Sequence, residues 1–243
     1  MQVVGILGGM GPAAGADFVR LFVQSCVEHL QGQGLAVSDQ SFPEHWLAQV
    51  PVPDRTRALE ADAFGAQQPL EPMLQALGRL AALGARCVAM PCNTAHAWHS
   101  RLQDRFPQLD VLHIADEMAR TLAARQVPAA ALMATEGTYR SGVYGQALAR
   151  VGVHCHLPTA TERARIMHGI YDGVKAGNMP LAQRCLSEVA QALAQRHGGA
   201  ALVLGCTEIP LALDGLAQTA DLPLFNPAQV LARALAQRAY APA

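Results

Sequence analysis

Short runs of consecutive apolar residues alternate along the chain with longer stretches in which apolar residues recur at helical spacing. The runs at 3–7, 35–37, 86–90, 111–114, 129–133, 153–156, 201–204 and 222–225 predict short buried strands. Between most of them lie amphipathic helical patterns, as in 13–30, where Phe18, Leu21, Phe22, Ser25 and Cys26 share one face. Strands alternating with helices imply parallel sheets covered on both sides, an α/β class.

The pattern also repeats. In the first half a strand enters the glycine-rich turn after Gly8, and a later strand ends at Cys92-Asn93-Thr94. In the second half a strand enters the small polar turn Thr135–Thr138, and a later strand ends at Cys206-Thr207-Glu208. This echo predicts two similar Rossmann-like domains, each a mostly parallel sheet flanked by helices, facing each other across a pseudo-twofold. Residues 1–115 with 216–243 form the first and 116–215 the second, the last strand and helix returning to the first domain. Residues 39–55 hold three prolines and no clear period, and so predict a long loop of the kind that more often carries function.

Composition narrows the class of partner. Half of the 243 residues (51%) are apolar and 15% are charged, enough for a sizeable core. The formal net charge is −1 with no block of like charges, which argues against nucleic acid or an anionic membrane as partner. No apolar stretch reaches the ~18 residues of a membrane span. The first residues lack the basic region of a signal peptide, so a cytoplasmic location is expected.

Six cysteines in a reducing compartment point to packing or reactive thiols rather than disulfides. Ligands in open α/β sheets bind beyond the carboxyl ends of the strands. Cys92 and Cys206 both fall there, at strand-to-helix junctions where a helix N-terminus favours thiolate. Asn93, Thr94 and Thr207 add short donors suited to an anionic group, whereas Cys26, Cys87, Cys155 and Cys185 lie inside element patterns and are expected to pack. The turn around Met10 contains Gly-x-Gly-x-x-Ala, a weak dinucleotide fingerprint without the acidic residue expected about 20 positions on. Arg55, at the end of the long loop, is suited either to clamp a carboxylate or to pair with Asp54 on the surface. Lys175 is the only lysine in the chain, so any Schiff-base cofactor would have to use it. The histidines at 96, 99, 154 and 156 lack the paired spacing of a zinc site, and no metal is expected.

At these motifs the sequence resembles the aspartate/glutamate racemase family, in its aspartate racemase-like branch. The resemblance runs through Gly5-Ile-Leu-Gly-Gly-Met-Gly-Pro12, Pro51-Val-Pro-Asp-Arg-Thr56, Met90-Pro-Cys-Asn-Thr-Ala-His96, His113-Ile-Ala-Asp116, Thr135-Glu-Gly-Thr-Tyr-Arg-Ser-Gly-Val-Tyr144, Glu162-Arg-Ala-Arg-Ile166 and Leu204-Gly-Cys-Thr-Glu-Ile-Pro-Leu211. It implies two similar α/β domains with the active site in the cleft between them, no cofactor, and a homodimer. It also implies that Cys92 and Cys206 are the acid/base pair of an amino-acid racemase, with Arg55 and Lys175 holding substrate carboxylates. The candidate substrate-binding set is Met10, Arg55, Asn93, Thr94, Thr135, Thr138, Lys175, Thr207 and Glu208. Glu208 stands where glutamate racemases carry histidine, which favours the aspartate-like branch. Gly15 and Asn226 depart from the family's usual threonine and aspartate. The alternatives are a racemase or isomerase of hydantoins or other α-carbonyl compounds, and a non-enzymatic small-molecule or nucleotide-binding protein.

Overall fold

A computed structural model describes residues 1–61 and 65–242. These residues form two four-stranded sheets in which every pairing is parallel. The first sheet contains β1 (Val4–Gly8), β2 (His45–Gln49), β3 (Cys87–Ala89) and β4 (Asp110–Val111), in the order β2-β1-β3-β4. The second contains β5 (Ala129–Ala134), β6 (His154–His156), β7 (Ala201–Gly205) and β8 (Leu224–Phe225), in the order β6-β5-β7-β8. The two orders are the same, so the internal echo of the sequence is an echo of topology. The chain divides into two compact units, residues 1–117 with 228–243 and residues 118–227.

Each strand of the first sheet is short and sided. On β1, Val4 and Ile6 enter one apolar cluster with Phe18 and Phe22 of the helix Pro12–Gly32 and Leu231 and Leu235 of the helix Pro227–Tyr240. Leu7 of β1 and Val88 of β3 enter another with Met73 and Leu77 of the helix Leu70–Ala82. A sheet covered on both faces needs apolar residues at successive positions, which is why the run reads as continuous rather than alternating. In the second unit, Ala131, Met133, Leu202 and Leu204 pack against Ile166, Ile170, Leu186 and Val189. Each of the larger side chains removed from water there contributes roughly 1.5–3 kcal/mol.

Two expectations are corrected. Residues 35–37 form no strand: Leu35 and Val37 are 57% and 43% exposed. The second strand of the first sheet is instead His45–Gln49, inside the segment read as loop. It is an edge strand paired only with β1, so Trp46 and Leu47 stay partly exposed and the apolar run that would announce a buried strand is missing. The last strand, Leu224–Phe225, does not return to the first sheet but pairs with Leu202 and Val203 of β7. Only the helix after it packs on the first core.

Candidate active site

The strand order places a switch point between the first and third strands of each sheet, where consecutive connections leave in opposite directions and ligands bind. In the first unit Ile6 pairs with Ala89. Past this last pair of the ladder, β1 runs into the turn at Gly9 and the chain after β3 leads to Cys92. In the second unit Ala134 pairs with Gly205, so Thr135 and Cys206 are the next residues on neighbouring strands. The two cysteines therefore follow corresponding strands, each the strand that pairs with the first strand of its own sheet.

In the first unit that turn is fixed by backbone geometry. Gly9 has φ of +92°, and a Cβ there would lie 2.2 Å from the Val50 carbonyl oxygen. Only glycine fits both demands. Arg55 binds the turn from the other side: one guanidinium nitrogen donates to Val52 O and Pro53 O at 2.9 and 3.1 Å, and another to Met10 O at 2.9 Å. Asp54 caps the helix Arg55–Glu60 by accepting from the Arg57 amide at 2.9 Å. A formal positive charge is thereby placed beside Met10, whose side chain shares an apolar cluster with Val52 and Cys92.

Cys92, Asn93 and Thr94 are all buried. They lead into a 3-10 turn, Thr94–Trp98, which passes into the helix His99–Arg105. The expectation of an α-helix N-terminus at this thiol thus gives way to a tighter 3-10 turn. His96, four residues on, is 2% exposed and sets Nδ1 2.9 Å from the carbonyl oxygen of Cys92. Its ring stands 5.0 Å from that of His113 and 5.9 Å from that of His99. Burial first, and then these two imidazoles, hold His96 well below the usual histidine range.

In the second unit Thr135 caps the helix Glu136–Ser141, its hydroxyl accepting from the Thr138 amide at 3.2 Å and lying 3.1 Å from the Thr138 hydroxyl. Both candidate threonines thus shape the turn beside Cys206. The Cys206 thiol donates to Oε2 of Glu208 at 2.9 Å, and the Thr207 hydroxyl donates to the same oxygen at 3.2 Å. All three residues are buried. Burial pushes the Cys206 thiol well above its ordinary value, and the charge and hydrogen bond of Glu208 push the same way. Lys175 pulls it down. The expected thiolate-favouring helix terminus is therefore outweighed: the helix after Cys206 is only the short Glu208–Leu213 turn, and its own first residue is the carboxylate that holds the proton on sulfur.

Lys175 does not end one continuous α-helix. The helix Ala160–His168 widens into a π-helical segment, Gly169–Val174, and Lys175 follows it. A Cβ at Gly173 would stand 2.8 Å from Cα of Ala182, so the bare backbone lets this segment lie against the helix Met179–Arg196. The Lys175 ammonium sits over the Tyr171 ring, 4.2 Å from its centre. Tyr171 and His96 each lie four residues from the group they touch, Lys175 and Cys92, a spacing of one helical turn that is the signal for them in the sequence. Gly15 is filled from outside: a Cβ there would lie 2.4 Å from Oε1 of Gln49, whose amide donates to Pro12 O at 2.9 Å.

Among the described residues no group of three or more His, Cys, Asp or Glu is arranged to hold a metal ion. His156 stacks on His197 with ring centres 4.0 Å apart and meets His154 edge-on at 4.4 Å. No helix among the described residues is long and apolar enough to cross a membrane.

Two parallel α/β units, each with a cysteine at its switch point and a cation in the same unit, define a class, and comparison with known proteins gives it a family. A profile described as Asp/Glu/Hydantoin racemase matches residues 7–235, and the chain belongs to that family. It is similar to the broad specificity amino-acid racemase RacX of Bacillus subtilis, 22% identical over 237 residues and 95% of each chain. It is 28% identical over 164 residues to a glutamate racemase of Desulforudis audaxviator, covering 65% of this chain and 58% of that one. Among solved structures, the aspartate racemase of Picrophilus torridus superposes with a TM-score of 0.79 at 26% identity, covering 98% of this chain and 94% of that one.

Proposed function

We propose that this racemase inverts the α-carbon of free amino acids, aspartate or glutamate foremost, with Cys92 and Cys206 as its acid/base pair and no cofactor. The observation that carries the reading is the equivalent placement of the two thiols, one at each switch point. Inversion needs a base on one face of the α-carbon and an acid on the other. A thiolate takes the α-proton and becomes a thiol, and the opposite thiol gives its proton to the carbanion and becomes a thiolate. Each turnover therefore exchanges the protonation states of the pair. With Glu208 and burial keeping the proton on Cys206, that residue begins as the acid. The reaction would take place in a cleft where both thiols reach one substrate, with Arg55 and Lys175 meeting its carboxylates and Asn93, Thr94 and Thr207 supplying hydroxyl and amide donors to the developing negative charge.

Lys175 is the only amine side chain available for a Schiff base, and its ammonium is engaged with the Tyr171 ring, which supports a carboxylate-binding role instead. The test is exchange of α-hydrogen in D2O, measured on chelator-treated protein without added cofactor, across the amino acids and a set of hydantoins. Exchange with acidic amino acids that falls ~10²–10⁴-fold in Cys92→Ala and in Cys206→Ala supports the proposal. Exchange confined to hydantoins, or full activity in either variant, sinks it.

A further inference from the structure

Cys92 lies where the chain leaves β3 and tightens into the 3-10 turn. Its amide donates to Met90 O at 2.8 Å, which ties the peptide on its N-terminal side. On the other side, the backbone amide of His96 donates to Asn93 O at 3.1 Å, one residue short of the α-helical partner, which would be Cys92 O. The imidazole of the same residue turns back and meets that carbonyl at 2.9 Å through Nδ1. Its other nitrogen, Nε2, faces Leu112 O at 3.3 Å.

Two carbonyl oxygens face a ring that carries only one N–H while neutral. A second N–H would require the imidazolium; the two carbonyls favour it, but burial, His113 and His99 together outweigh them. His96 is buried, His99 is itself turned onto Val111 O at 2.5 Å, and His113 lies edge-on with its Nδ1 3.6 Å from Asp116 Oδ1. The single proton goes to the shorter contact.

We propose that His96 is a positioning residue for Cys92: neutral, with its proton on Nδ1, it clamps the Cys92 carbonyl and so fixes the direction in which the thiol leaves the backbone. With the peptides on both sides of Cys92 held, the Cα–Cβ bond has one orientation, and a proton-transferring sulfur must be placed to well within an ångström. The inference rests on Cys92 being one of the acid/base pair, but its geometry can be tested without turnover.

Three measurements decide it. In the wild-type chain, 15N NMR of the histidine side chains should show His96 neutral and protonated at Nδ1 from pH 5.5 to 8; a proton on Nε2 overturns the proposal whatever the variants do. His96→Asn keeps a donor at the Nδ1 place and His96→Gln moves it to the Nε2 place. Carbamidomethylation by iodoacetamide, located by peptide mass spectrometry, should leave Cys92 of His96→Asn within about threefold of wild type and change Cys92 of His96→Gln by about tenfold, with Cys206 unchanged in both. On an amino acid that the wild type racemises, His96→Gln should lower kcat by ~10²-fold with little change in KM, and His96→Asn should restore most of it. Equal behaviour of the two variants, or Cys206 moving with Cys92, marks His96 as a packing residue only. A chain that racemises nothing but keeps the NMR and alkylation pattern would refute the proposed activity and leave the clamp standing.

Discussion

The thiol of Cys206 donates to the carboxylate of Glu208 across 2.9 Å, both groups buried. A carboxylate this close opposes a thiolate by charge and stabilises the thiol by accepting its hydrogen. Glu208→Gln removes the charge and keeps the shape. The expected outcome is a Cys206 that ionises at lower pH, seen as a several-fold faster alkylation at pH 8 and an alkylation–pH profile moved toward acid. An unmoved profile would show that burial alone holds the proton.

Lys175 acts on the same thiol with the opposite sign. Lys175→Gln should therefore slow alkylation of Cys206. If the ammonium also meets a substrate carboxylate, KM for an acidic amino acid should rise ~10–100-fold, in line with roughly 1.5–3 kcal/mol for a charged hydrogen bond. Kinetics on an acidic substrate and on a neutral analogue separate the two effects, since only the first carries the side-chain carboxylate.

Gly9 and Gly15 are close in sequence and should respond very differently to alanine. At Gly9 the added Cβ meets the Val50 backbone, and the residue has φ of +92°. Gly9→Ala should cost ~2–4 kcal/mol or prevent folding. At Gly15 the obstacle is the end of the Gln49 side chain, which can swing away. The lost Gln49 hydrogen bond, about 1 kcal/mol, is offset by about 1 kcal/mol of helix propensity, so Gly15→Ala should be near neutral. Urea unfolding of the two variants checks the contrast.

Acid should weaken the second unit through Glu162. This residue closes the capping box with Thr159 and accepts from Arg196 at 2.6 Å. The Arg196 hydrogen bond first, with the Thr159 bonds adding to it, lowers its folded pKa below the ordinary carboxylate value, while burial opposes the shift. The contribution is complete above the unfolded pKa, about 4.3, and is lost as pH falls through the folded one. Glu162→Gln should lower Tm at pH 7 and flatten its fall below pH 4.5. Thr159→Ala should cost about 1 kcal/mol through the lost cap. A Glu162→Gln Tm–pH curve parallel to wild type contradicts the assignment.

Sequence reading found seven of the eight strand positions: the central strands β1, β3, β5 and β7 are covered on both faces and apolar throughout, and the edge strands β4, β6 and β8 lie in or beside short apolar runs. It missed His45–Gln49 because that edge strand, with Trp46 and Leu47 exposed, is set between Pro43 and Pro51 in a segment without a clear period. The thiols were legible because they follow buried strands directly. Their electrostatics were not, since the polarity of a junction depends on which side chain turns back toward the sulfur. Nothing in the string Cys-Thr-Glu says that Glu208 points at Cys206 rather than at a ligand. Likewise the sequence does not say that both ring nitrogens of His96 face carbonyl oxygens.

The path of the chain at its end bears on how the molecule is made. Residues 118–227 form one uninterrupted unit, whereas the first unit needs residues 228–242 to cover a face of its core. A ribosome therefore releases the closing helix of the first unit only after every strand of the second has been synthesised. The usual N-terminal-first order of domain completion is reversed in this chain. A truncation at the C-terminus would strike the half that was begun first, exposing Val4, Phe18 and Phe22 rather than the strand nearest the cut.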